Sequence, residues 1–491
     1  MSKVALPLLI VLFAIFQSCE KSVEKNRIQS QNILVEIGEK KIMVNEFIKR
    51  AEYTPRPSYC RGDSYIHKKI VLNSLIAEKL LALEFEKNNY SMTEAQKDII
   101  KGQKEQGMRQ EMLKVFGYET VEIDSAKIKK IANLSKRSYN IKFITIDKKY
   151  TKVINNIAND YKIEGLIKRL NLNTDLIKKS VSKSEEMIEA VHEVLFFRGP
   201  IKNKIYGPFR IDQKKIICFE IDSWITSVDV TQKQKEETWQ EVENNYKEKN
   251  AIQNYAAYVK KIMKGKSLDY KAEVFDDFSN KLRKVYLIEK EKKEAVINNE
   301  IWEIDENTDI ISFEDIKKIN DKILLSHDNK DYSVIDFLNL IKKHPLVFRN
   351  KKTNKKLFSN ELKYAIADLF RDVHITQKAY ELDFDNYNSV IRIRNKWADY
   401  IKSTVYQKKY LSSRGAQKEG LSFMKVKVDS LQSIYSNVIK IDTDKFEKIN
   451  LSSVDMNVNF SNQPYAKVEP SFPVLTDDHL MDYGSKVIFN D

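Results

Sequence analysis

The chain is poor in residues that break regular structure and in residues that do familiar chemistry. Its 491 residues hold 12 glycines and 9 prolines. So few breakers, with abundant Lys, Glu and Leu, argue for mostly helix and against an all-β barrel. The three cysteines, Cys19, Cys60 and Cys218, are too few for a disulfide framework. Histidine is scarce at six, and His327, His344 and His374 are scattered without metal-ligand spacing. His192 stands beside Glu193, but on a helix neighbouring positions face different ways, so the two make no dyad. No H-E-x-x-H, C-x-x-C, G-x-S-x-G or P-loop pattern occurs. These absences argue against the familiar hydrolase and cofactor-enzyme classes. No catalytic residue, metal site or cofactor is expected.

What is present fits a folded, soluble protein. Hydrophobic residues make up 42% and charged residues 31%, and the length suffices for about three domains with real cores. The net charge is +14. It reads as solvated lysine-rich helix faces, or as affinity for anionic lipid headgroups or acidic clients. No run interleaves basic residues with stacking aromatics in a nucleic-acid module pattern, so no nucleic-acid partner is expected.

Residues 1–19 form a targeting segment. Lys3 supplies a positive start, and Val4 to Phe16 is an apolar run too short to span a bilayer comfortably but suited to a signal-peptide core. Gln17, Ser18 and Cys19 follow. The segment resembles a bacterial lipoprotein signal, which implies that Cys19 becomes the lipidated first residue of an envelope protein. The address expected is the outer membrane, facing the periplasm. Residues 20–30 are mostly polar and read as a tether. Cys60 and Cys218 then read as separate thiols, with one long-range bridge as the alternative.

The stretch Ile33 to Leu83 organises the rest. Ile33-Leu34-Val35 and Ile42-Met43-Val44 flank a polar turn at Gly38, which reads as a hairpin. Asn45 is placed to cap a short helix carrying Phe47, and Pro55 and Pro57 stop that helix. Leu72, Leu75, Ile76, Leu80 and Leu83 then mark the apolar stripe of a longer helix. The pattern returns 290 positions later without a gap. Phe47 answers to Phe337, Pro55 to Pro345, Leu72 to Leu362 and Ile76 to Ile366, and Ser333 with Asp336 fits a capping box.

Taken in order, residues 31–136 form a first helical module and 137–226 a small α+β domain. In the latter Ile141 to Ile146 reads as a strand, 150–170 and 184–195 as helical, and two strands close it near 207–211 and 216–221. Residues 227–290 read as a helical linker whose long helix Thr231 could cap, 291–410 as the second helical module, and 411–491 as a tail. Ile439 to Ile441 and Val454 to Val458 suggest short strands in that tail, and Pro464, Pro470 and Pro473 cluster with Phe472 and Tyr465. The tail reads either as packed along the body or as a dock for an envelope assembly.

Val35-Glu36-Ile37-Gly38 with Phe47 and the helix to Leu83 resembles the amino-terminal module of SurA-type and PrsA-type exported foldases. Ile141 to Ile221, above all Gly207-Pro208-Phe209 followed by Ile216-Ile217-Cys218-Phe219, resembles a parvulin peptidyl-prolyl isomerase domain. The resemblance implies a predominantly helical α+β fold, with two chaperone-like helical modules around a parvulin-like domain. It implies unfolded exported polypeptides as clients. The domain departs from active parvulins: Asn140, Ile141 and Lys142 stand where a strand histidine is usual, the glycine-rich loop is missing, and Lys215 or Ile216 replaces the closing histidine. It is therefore expected to be a scaffold lacking the usual active-site groups, with an active isomerase as the alternative. Phe47, Pro55, Pro345 and Phe348 are the candidate client-contacting residues.

Overall fold

A computed structural model of the chain describes residues 32–157, 161–286, 314–344, 346–349, 357–415, 420–451, 465 and 468–489. Cys19, Pro345, Pro464 and the strand expected at Val454 to Val458 lie outside these described residues. The fold is mostly helical with small sheets, in keeping with the scarcity of helix breakers. It divides into two compact units: Leu113–Lys261, and Met1–Met112 with Ile262–Asp491.

The second of these units begins with strands β1 (Ile33–Ile37) and β2 (Lys40–Met43) and helices α1 (Val44–Glu52) and α2 (Tyr65–Lys87). Helix α3 (Glu94–Phe116) crosses the unit boundary. The Leu113–Lys261 unit contains α4 (Ser125–Ser135), β3 (Arg137–Asp147), α5 (Thr151–Ile157), α6 (Ile163–Arg169) and β4 (Ile177–Val181). It continues through α7 (Glu189–Glu193), a π turn at Val194–Arg198, β5 (Ile205–Arg210), β6 (Lys215–Thr226) and α8 (Gln232–Ile262). The chain then returns with β7 (Leu268–Tyr270), α9 (Ala272–Tyr286), β8 (Ile323–His327), β9 (Lys330–Ser333), α10 (Val334–Lys343) and α11 (Phe358–Glu381). It ends with α12 (Asn388–Ser413), α13 (Gly420–Ile434), β10 (Ile439–Asp442), α14 (Thr443–Lys448) and β11 (Ser485–Val487).

The 290-residue offset is carried into backbone detail. Both hairpins have a ladder irregularity at the same place, between Ile33 and Val35 and between Ile323 and Leu325. Val44 N–H donates to the Asn32 carbonyl at 2.9 Å, and Val334 N–H to the Lys322 carbonyl at 3.0 Å. Phe47 and Phe337, Leu72 and Leu362, and Ile76 and Ile366 are all fully buried. The copies differ in their caps. Ser333 and Asp336 form the reciprocal capping box, whereas α1 starts after Met43 with no side-chain cap, so Asn45 lies inside the helix instead of capping it.

Each hairpin takes a third strand from a distant part of the chain. β1 pairs with β10, so the first sheet runs β11-β10-β1-β2, and β8 pairs with β7 in a sheet ordered β7-β8-β9. The stretch read as a linker therefore supplies an edge strand. The stretch read as a tail supplies an interior strand.

Helix α2 is enclosed on nearly every side. Its stripe of Leu72, Leu75, Ile76 and Leu80 meets Phe47, Ile401, Met424, Leu431 and Ile441 in one core. Several of its polar residues are buried too, among them Lys68, Asn73, Glu78 and Lys79, and these four are matched. Lys68 donates to the carbonyls of Phe446 at 2.8 Å and Ile449 at 3.0 Å. Asn73 donates to the carbonyls of Asp478 and Leu480 at 2.9 and 2.8 Å and accepts from the Tyr483 hydroxyl at 2.6 Å. Glu78 accepts two parallel bonds from Arg50, at 3.0 and 2.7 Å, and Arg50 also donates to the Ser471 carbonyl. Lys79 pairs with Glu46 and Asp399, and Asp399 with Lys40. Burial would push the Asp399 carboxyl up, but Lys79 and Lys40 hold it below its ordinary value. Cys60 and Cys218 are separate buried thiols, one in each unit.

Removing one partner of a buried ion pair strands the other, so Glu78→Ala should cost about 3–5 kcal/mol by urea denaturation. An Arg50→Met/Glu78→Leu double variant should recover most of that loss. Because the folded-state pKa of Asp399 is depressed, its stabilisation is present above the ordinary carboxylate range, near pH 3.9, and is lost as pH falls through the folded value. Asp399→Asn should be less stable at neutral pH and show a shallower fall of Tm in acid.

Candidate functional site

The sheet of the Leu113–Lys261 unit is antiparallel throughout and ordered β4-β3-β6-β5. The strand and the two closing strands read from the sequence are present, with β4 as an additional edge strand; α5 and α6 lie within the expected 150–170, whereas 184–188 are not helical and the helix expected over 184–195 begins only at Glu189. The two-residue period sorts side chains to opposite faces. Ile144, Ile146, Ile216 and Cys218 pack with Ile154 of α5 and Ile163 and Leu166 of α6. Lys162 gives α6 no side-chain cap, so the buried Glu220 carboxylate accepts from Ile163 N–H at 2.8 Å instead. Burial also pushes the Cys218 thiol up to about 12, leaving it inert.

On the other face, Tyr139, Ile141, Phe219 and Ile221 pack with Val191, Leu195 and Phe196 of α7 and the π turn. That cover is short. Phe143, Thr145 and Ile217, farther along the same face, line an open cleft of about 800 Å³. Met187, Ile188 and Ile211 complete its apolar walls, and Glu185, Glu186, Glu189 and His192 are the ionisable residues lining it. His192 Nε2 lies 2.7 Å from the Glu185 carbonyl. A carbonyl only accepts, so Nε2 is the donor and is engaged in wall structure. The result is an apolar floor with an acidic rim and no nucleophile–base pair among the described residues.

Asn140 and Lys142, expected to stand where parvulins carry a strand histidine, are engaged in other contacts. Asn140 donates to Ser223 at 2.9 Å, and Lys142 pairs with Glu164 and Asp222. Gly207 has φ +112°, and a Cβ there would meet the Ile217 carbonyl at 2.6 Å, so the Gly-Pro element serves close strand packing.

The expected client residues are not gathered into one site. Phe47 is wholly buried 5.9 Å from Phe446 and is a core residue, which removes it from any surface a client could touch. Pro55 is exposed in the loop after α1. Phe348 is half-buried against Tyr286 and Phe358, at 4.9 and 5.5 Å between ring centres, and closes the core of the second copy. A larger cleft, about 1100 Å³, lies between the first hairpin and α12, but Lys40, Glu46, Lys79 and Asp399 line it as paired charges. The histidines are less scattered than their spacing suggests. His327 and His374 meet, with Asp328 beside them, as a group able to hold a metal ion.

No protein-family model matches the chain, and neither a curated protein nor a solved structure matches it. Among the described residues no helix is long and apolar enough to cross a membrane.

The cleft should bind a fluorescent apolar dye. Met187→Asp with Ile211→Asp should weaken that binding about tenfold, the equivalent of about 1.4 kcal/mol, while circular dichroism and Tm stay near those of the parent.

Proposed function

We propose that this chain is a lipid-anchored, exported holding chaperone of the SurA/PrsA kind. Its parvulin-like domain would act as a binding scaffold. The observation that carries this reading is the open, mainly apolar cleft of about 800 Å³ over Phe143, Thr145 and Ile217. Prolyl isomerisation faces a barrier of about 18–20 kcal/mol. An apolar floor desolvates a bound amide but supplies no hydrogen-bonding group to distort one particular prolyl bond.

Client contact is assigned to the cleft and not to a sheet edge. The β4 edge carries Lys178 and Lys179, and β5 carries Pro208, which has no N–H to offer. Both features resist an added strand. The acidic rim favours segments that mix apolar and basic residues. The paired hairpin-and-helix copies support the resemblance to exported foldase modules. Lipidation at Cys19 would hold the protein at the periplasmic face of the outer membrane and raise its effective concentration near emerging chains. The described end of the chain is built into the fold through β10, Phe472, Leu475 and Tyr483, which favours the holding reading over a docking arm.

The test is an aggregation assay and a protease-coupled prolyl isomerisation assay on one sample of the chain from Glu20 onward. Suppressed aggregation without acceleration is the expected result. Acceleration well above background would make the domain an active isomerase. No effect in either assay would favour an accessory subunit of an envelope assembly.

A further inference from the structure

The turn of the second hairpin brings together three side chains that the proposed function does not use. His327 ends β8, and Asp328 and Asn329 form the turn with φ of +49° and +64°. His374 comes from α11, 47 positions away. The two imidazoles approach with Nε2 to Nε2 at 2.7 Å, and Asp328 Oδ2 lies 3.6 Å from His374 Nε2 and 4.0 Å from His327 Nε2. All three ligand atoms fall within 4.8 Å of one another.

The surroundings are organised as a metal site's outer shell would be. His327 Nδ1 lies 2.6 Å from the Ser267 carbonyl. That carbonyl must accept, so Nδ1 carries the proton and His327 Nε2 presents a lone pair, the tautomer a metal needs; that lone pair accepts from His374 Nε2–H, so metal entry requires His374 to move its proton to Nδ1 as the two rings part. Ser267 N–H donates to Asp328 Oδ1 at 3.2 Å, leaving Oδ2 to face the imidazoles. Phe370 packs against the His327 ring, 4.4 Å between centres, and fixes its plane.

We propose that His327 Nε2, His374 Nε2 and Asp328 Oδ2 bind one divalent transition cation of the zinc class, with solvent in the fourth position. Two nitrogens on one tetrahedral zinc, each at 2.0–2.1 Å, stand about 3.3 Å apart. The rings therefore need to separate by about 0.6 Å from the observed 2.7 Å. His374, only half-buried on its helix, is the ring with room to do so. Lys266 Nζ lies 2.5 Å from Asp328 Oδ2 and is the competing cation. It must swing away when the metal enters. The bound ion would fasten the hairpin turn to α11, a stabilising role separate from client holding.

The experiment is calorimetric titration of ZnCl2 into the tag-free, chelator-treated full-length chain in detergent, with MgCl2 as control. About one Zn2+ per chain should bind and raise Tm, and Mg2+, which prefers oxygen ligands, should not. His374→Ala and Asp328→Asn should each weaken Zn2+ binding at least about tenfold and abolish the Tm rise. Lys266→Ala should tighten it. Absence of Zn2+ binding by the parent chain, or parent-like binding by His374→Ala, would overturn the site. Unchanged or weaker binding by Lys266→Ala would overturn the role given to Asp328.

Discussion

The fold depends on satisfying the polar side chains buried around one enclosed helix. Lys68, Asn73, Glu78 and Lys79 lie on α2, which also carries the apolar stripe of the main core. A polar group buried without a partner costs on the order of 1–3 kcal/mol, more if charged. Four such groups on one helix would exceed much of a typical net stability of about 5–15 kcal/mol. The carbonyls of Phe446, Ile449, Asp478 and Leu480 and the Tyr483 hydroxyl meet that cost for Lys68 and Asn73, and Glu46 and Asp399 meet it for Lys79. Arg50 does the same from α1. The carboxyl-terminal stretch is thus a structural wall, and β10 enters the first sheet because the chain must return to cover α2.

Local pattern made much of this readable, and distant pairing did not. The hairpins, the strand at Ile141 to Ile146 and the long helix through Leu72 to Leu80 follow from periodicity in neighbouring residues. The repeat is visible in Phe47 and Phe337 because a phenylalanine eight residues before a proline recurs at one offset. Nothing in Ile439-Lys440-Ile441 names β1 as its partner, and nothing in Leu268-Asp269-Tyr270 names β8. Strand partners are chosen by the whole core. β4 carries no clear alternation, because Lys178 and Lys179 stand side by side within it. Phe47 and Phe348 stand beside loops, where local pattern does not separate a client contact from a core residue, and both pack into cores.

The site shows the same division. Alternation along β3 identifies Phe143 and Thr145 as facing one way, but their exposure depends on how far α7 reaches over the sheet. That reach is set by the Glu189–Glu193 helix passing directly into a π turn over Tyr139 and Phe219. The sheet end beyond it stays open. His327 and His374 gave no sequence signal because their meeting depends on β8 and α11 packing together. An open apolar cleft with an acidic rim suits weak, non-selective holding. On the proposed reading, such binding would let clients leave to fold elsewhere.

The most direct test of the cleft as the holding site is hydrogen–deuterium exchange of the chain with and without a soluble unfolded client. The account predicts added protection at 143–145, 185–192 and 211–217, with the backbone of β1, β10 and α2 unchanged. Protection confined to the loop at Pro55 or to the larger cleft beside α12, with 143–145 and 185–192 unaffected, would contradict it.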